Sequence, residues 1–399
     1  MAKLIIGNVH VHSMDRDMGE IENAYILIDE DKIVEVKGMD SLEDSLLQEV
    51  DFFDGSGYMA YPGFLDAHNH LGMFDDHLGW EGSDGNEVTD PVTPELRAID
   101  SIFHDDVTLD EAIQGGVTCV MTGPGSANVI GGQFAIIKPY GPSVDRMLVM
   151  APAAMKAALG DNPKGVYGRN QKRPSTRMAS AAVLRETLGN AKRYLEKKDK
   201  EEEIEFNFRL EALIPVLRRE LPLKIHAHRA DDILTAIRIA NEFGIRYTLD
   251  HCTEGYLILD QLEEAYNRRE EEGYGSLEGI IVGPLISSRS KPELTRLWIG
   301  SAAAIYETGI PMAIATDHPV IPIEFGVSQA ALLMREGLSR EAALEGITTS
   351  AAKIMGVENR VGRLAPSLDA DVVLWAEDPL LPWSKPYAVF VNGKLVYED

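Results

Sequence analysis

Two histidines one residue apart, His68 and His70, stand at the end of a short apolar run in the stretch YPGFLDAHNHLG, residues 61–72. On a β-strand, residues i and i+2 face the same way, so these imidazoles would project side by side. Neutral imidazoles converging on one point suit a divalent metal better than a packed core. The pattern recurs downstream: His226 and His228 in IHAH, His251 in LDHCTEG and Asp317 in IATDHP each follow an apolar run. Zinc is the default ion for a histidine-rich set of nitrogen and oxygen donors, with one or two ions to be held. It acidifies bound water to a pKa of about 7, so the chemistry on offer is hydrolysis by a metal-bound hydroxide.

Residues so far apart meet only if a scaffold brings them together. In the middle of the chain, the runs GGVTCVMTGPGS, RMLVMAPAAMK, PLKIHAHRA, IRYTLDHCTEG, EGIIVGPLISS and IPMAIATDHP read as strands. Amphipathic helices separate several of them. In DDILTAIRIANEFG, Ile233, Ile237 and Ala240 keep a helical spacing and Gly244 marks the stop, while TLDEAIQGG puts Thr108 and Glu111 in capping-box register. Alternating strands and helices indicate a parallel sheet, and this many units favours an α/β protein built on a metal-dependent (β/α)8 TIM barrel over residues 61–358. At roughly 30 residues per unit, the polar groups fall on strands 1, 5, 6 and 8, at the carboxyl-terminal rim where barrels place their chemistry. Both chain ends are β-rich, and Asn392-Gly393 is a hairpin signal. Neither end closes a core alone, so residues 1–60 and 359–399 are expected to form one small composite β-sandwich domain. The charge run EKKDKEEEIE, residues 196–205, reads as a solvated helix or exposed loop without a function.

Composition narrows the classes. Lys and Arg total 38 against 64 Asp and Glu, a net charge of −26 that disfavours nucleic-acid binding. No apolar run is long enough to span a membrane, and the N-terminal segment reads as a strand rather than a signal peptide. The two cysteines, Cys119 and Cys252, sit in apolar contexts and favour a reducing, cytoplasmic setting. GPGSANVIGGQFAIIK lacks the Lys-Ser/Thr ending of a phosphate-binding loop.

GFLDAHNH, IHAH, LDHCTEG and IATDHP together resemble the amidohydrolase superfamily, and within it the imidazolonepropionase-related branch. The resemblance spans essentially the whole chain. It implies that His68 and His70 are the strand-1 metal pair, that His226 and His251 are ligands from strands 5 and 6, and that Asp317 binds metal and shuttles the proton. Asp317 and His251 are thus the expected catalytic residues. His228 is ligand or substrate contact, with contact favoured. His318 is expected to face away, and His10, His12, His77 and His104 match no ligand position.

Many members hold two ions bridged by a carboxylated lysine or by a glutamate from strand 3 or 4. Lys156 in MLVMAPAAMK is either that bridge or a surface lysine, and Lys138 in FAIIKPYG is a weaker candidate. The superfamily's mononuclear deaminases carry a glutamate three residues after the strand-5 histidine, where this chain has Arg229. The expected reaction is therefore hydrolysis of an amide, cyclic amide or dipeptide-like bond in a small molecule. A deaminase or imidazolone-type ring hydrolase is the alternative, and a non-catalytic barrel the more distant one. Arg229, Arg173 and Arg289 are candidates to clamp a substrate carboxylate, and Asp231 and Asp232 to cap the next helix. Barrels of this superfamily commonly associate, so a homo-oligomer is also expected.

Overall fold

The computed structural model describes residues 3–43, 45–48, 50–74 and 79–399, and His77 lies outside them. Eight strands among the described residues form the barrel sheet in chain order: β1 (Phe64–Asn69), β2 (Val117–Thr122), β3 (Ile130–Ile137), β4 (Leu148–Ala158), β5 (Leu223–Ala227), β6 (Arg246–His251), β7 (Ser276–Val282) and β8 (Met312–Ile314). The architecture is mixed α/β with a nearly closed barrel. Side chains of β1, β2, β5 and β6 are buried on both faces almost throughout, as expected where helices cover the outside and packed residues fill the inside, whereas the first half of β4 is largely exposed.

The all-parallel expectation fails at one strand. β3 runs antiparallel to both β2 and β4. Only residues 123–129 join β2 to β3, and a parallel crossover needs a dozen or more. The reversal separates the two lysines that end apolar runs. Lys156 pairs with Gly132 near the exit of β4, whereas the other end of β3, next to Lys138, lies level with the start of β4 at Leu148.

Lys138 therefore belongs to the opposite rim, where it is buried and bonds Asp369 and Asp371, each at 2.8 Å. It pins the returning C-terminal segment to the barrel. Burial would lift the Asp369 carboxyl, but Lys138 and its other cationic neighbours bring it down to about 2. Asp369 thus contributes stability that is present above a pH of about 4 and is lost as pH falls through its folded value. Lys138→Met is expected to cost about 3 kcal/mol in denaturant unfolding by stranding these carboxylates. A loss under 1 kcal/mol would place the anchor elsewhere.

The remaining strands form a second sheet that draws on both chain ends. Its order is Lys394–Glu398, Pro386–Val391, Val372–Trp375, Met59–Pro62, Leu4–His12, Glu20–Asp29 and Lys32–Gly38, with Asp51–Asp54 also paired to Leu4–His12. Asn392 and Gly393 take positive φ values of 51° and 72°, as their tight hairpin requires. Beneath the barrel strands, the helix Ala230–Phe243 buries Ile233, Ala236, Ile237 and Ala240 and ends on Gly244 in the left-handed region.

Two local expectations change, and a third, for the charge run, is met. Asp106, not Thr108, caps the helix Val107–Gln114 by accepting from the Thr108 amide. Asp231 and Asp232 occupy the first turn of Ala230–Phe243, while Glu254 accepts the Ala230 amide at 2.9 Å. The charge run divides between the end of the helix Arg177–Asp199 and an exposed loop. No helix of the described residues is long and apolar enough to cross a membrane.

Candidate metal centre

β8 is short and makes no ladder with β1. The seam closes instead through the Asp317 amide on the His68 carbonyl at 3.1 Å, and the His70 amide on the His318 carbonyl at 2.9 Å. Closing the barrel is thus the same event that sets Asp317 against the histidine pair. The Asp317 Oδ1 atom lies 3.4 Å from His68 Nε2 and 3.2 Å from His70 Nε2. Asp317, His251 and Cys252 all adopt positive φ, of 53°, 70° and 46°, a strained conformation that clusters at functional sites.

A second group adjoins the first. The rings of His226, His228 and His251 lie 4.5–4.6 Å apart, centre to centre, and His251 is 5.2 Å from His68. Within each group, one ligand-type atom per residue falls within 4.8 Å of the others. Two donors about 2.1 Å from one ion are separated by roughly 3–4 Å, so these spacings fit a shared cation.

The ring nitrogens point the same way. His70 Nδ1 donates to the Gly123 carbonyl at 2.7 Å, and His251 Nδ1 to the Gly283 carbonyl at 2.6 Å. A carbonyl only accepts, so each of these Nδ1 atoms carries the proton and each Nε2 presents a lone pair. His228 Nδ1 also has a partner on that side, the Thr253 hydroxyl at 2.7 Å, a group able either to donate or to accept. Burial pushes His68, His226, His228 and His251 below the ordinary imidazole range, and Lys156 adds to the effect at His68, His226 and His251. They are neutral near pH 7, the form that binds metal. Burial would raise Asp317, but His251 and His68 beside it outweigh that and hold it well below the carboxylate range, so it is ionised.

Lys156 is not a surface lysine. It is fully buried on β4, and its Nζ lies 2.9 Å from Asp250. Asp250 also holds Lys224 at 2.9 Å, and the two ammonium groups keep its carboxyl well below the usual range despite burial. Burial lowers Lys224 to about 8. Phe134 floors this corner, stacked on His68 at 5.7 Å and beneath both lysines.

The expected arginine clamp is not assembled here. Arg173 pairs with Glu186 at an exposed position, and Arg289 donates to the Thr295 and Leu297 carbonyls, folding its own loop. Arg229 makes a two-pronged pair with Asp231. Each guanidinium found a nearer acceptor. His318 is buried, and His10 and His12 lie on the terminal strand Leu4–His12.

A cavity of about 780 Å3 opens beside the histidines, with Ser126, Asn162, Lys164, Arg169 and Lys291 in its wall. Asn162 reaches His226 Nε2 at 3.4 Å, and Lys291 lies 3.5 Å from Glu293. Glu293 is the residue that sequence reasoning missed. It is wholly buried, within 4 Å of His226 and His228, yet comes from the loop segment SSRSKPEL, which has no periodicity to announce it.

Comparisons with known proteins agree in kind. The model of the amidohydrolase family matches residues 209–397. The chain is similar to an amidohydrolase from Thermotoga maritima of known crystal structure, at 38% identity and a TM-score of 0.92, covering 99% of this chain and 100% of that one. It is 27% identical to the amidohydrolase tasK of Hapsidospora irregularis over 87% of its length, although it spans only 37% of that protein. An imidazolonepropionase from Cereibacter sphaeroides is 24% identical over 95% of both chains.

Proposed function

The chain belongs to the amidohydrolase family, and from that premise we propose that it hydrolyses an amide, cyclic amide or dipeptide-like carbon–nitrogen bond in a small molecule. The observation that carries the proposal is the convergence of His68, His70 and Asp317 beside His226, His228 and His251 at one rim. His70 and His251 have their outward nitrogens pinned by carbonyls, which supports their reading as ligands. Divalent ions held there, zinc by default, would polarise the scissile carbonyl and acidify water.

The remaining chemistry falls to the protein. Asp317, ionised and open toward the histidines, takes the proton from attacking water and delivers it to the departing nitrogen. His251 holds its lone pair toward the same space. Lys156, buried on β4 against Asp250, would supply the anion shared by two ions if it were carboxylated. His228 would face the substrate or join the second group. Lys164, Arg169 and Lys291 in the cavity wall favour a substrate bearing a carboxylate. Relatives named imidazolonepropionase favour the cyclic amide within that class. A deaminase is disfavoured because Arg229, occupied by Asp231, stands where a glutamate would serve as acid and base.

The test is a panel of N-acyl amino acids, dipeptides and carboxylate-bearing cyclic amides against aminated heterocycles, run on enzyme before and after metal stripping. We expect metal-dependent opening of amide bonds. Ammonia release from heterocycles alone would overturn the reading.

A further inference from the structure

Glu293 has a buried carboxylate whose Oε1 atom makes no hydrogen bond. Burying a carboxylate oxygen without a hydrogen bond is expensive, by several kcal/mol even after relaxation. Its surroundings nevertheless hold it firmly. The other oxygen, Oε2, accepts the Asp161 amide at 2.8 Å, and the Glu293 amide donates to Asp161 Oδ2 at 3.3 Å. Arg177 then ties Asp161 at 2.7 Å to Asp232 at 2.9 Å, linking the exit of β4, the helix after β5 and the loop after β7. Gly160 completes the arrangement: its φ is +85°, and a Cβ there would stand 2.7 Å from Glu293 Oε2.

This network leaves one oxygen aimed at the histidines. Oε1 lies 3.8 Å from His228 Nε2 and 3.9 Å from His226 Nε2. These separations are too long for hydrogen bonds and match two donors on one ion. Lys291 at 3.5 Å is the nearest cation, and it is partly exposed.

We infer that Glu293 is the anionic ligand of a second cation held by His226, His228 and His251, apart from the ion assigned to His68, His70 and Asp317. The inference rests on the metal-dependent reading above and makes the centre a two-ion site. It moves His228 from substrate contact to ligand.

The test counts ions rather than turnover. Purified wild type, Glu293→Gln and Lys291→Met are equilibrated with Co2+ and desalted. Metal is measured by mass spectrometry, and the visible d–d absorption is recorded. Wild type should hold two ions. Glu293→Gln should hold one, or bind the second at least about tenfold more weakly, with a changed d–d spectrum. Retention of the first ion shows that the variant has folded. Lys291→Met should keep both ions, which separates ligation from a plain ion pair. If Glu293→Gln keeps two ions with unchanged affinity and spectrum, the inference fails, even if KM changes. A wild type with one ion overturns it and leaves the hydrolase reading standing, whereas a wild type with none removes both.

Discussion

Asp317→Asn is expected to lower kcat/KM by about 10³–10⁴-fold, with most of the loss in kcat. The amide nearly matches the carboxylate in shape, so the backbone bond from residue 317 to His68, and with it the seam, should survive. What disappears is an ionised oxygen 3.2 Å from His70 Nε2 and 3.4 Å from His68 Nε2, together with the capacity to carry a proton. Metal content should fall only partly, because the imidazoles remain. Kinetics on metal-replete variant, with ions counted on the same sample, make the check. Turnover within tenfold of wild type would move the proton transfer to another residue.

His70→Ala should abolish turnover and remove about one ion per chain. Three donors define the first group, and loss of one leaves a pair unable to hold a cation against solvent. The truncation also frees the Gly123 carbonyl, which His70 Nδ1 now engages at 2.7 Å, at a cost of about 1–3 kcal/mol. A melting curve therefore accompanies metal analysis, so that a folded, metal-poor protein can be told from an unfolded one. A folded variant retaining full metal and measurable turnover would exclude the histidine pair as ligands.

Much of this centre was legible because its signals are local. His68 and His70 share a face through the period of a strand, and each remaining histidine and Asp317 follows a run that folds as a barrel strand. Gly244 and Asn392-Gly393 announced a helix stop and a hairpin through backbone conformations few residues adopt. Strand direction was harder, since a period of two reads alike both ways; only the short link before β3 betrays it. Lys138 remained a candidate beside Lys156, though a weaker one, for that reason, yet one anchors the C-terminal segment and the other borders the histidines. Arg173 and Arg289 misled because charge names a residue's appetite and not the acceptor within reach.

By itself, then, the order of residues determined which side chains could bind a cation and where on its own strand each would stand, because periodicity and turn chemistry act over a few neighbours. Tertiary structure alone decided which of them meet. The seam between β8 and β1 sets Asp317 against His70, and the latch through Gly160, Asp161 and Arg177 turns Glu293 inward. Both depend on bonds between segments far apart in the chain, which no local pattern encodes.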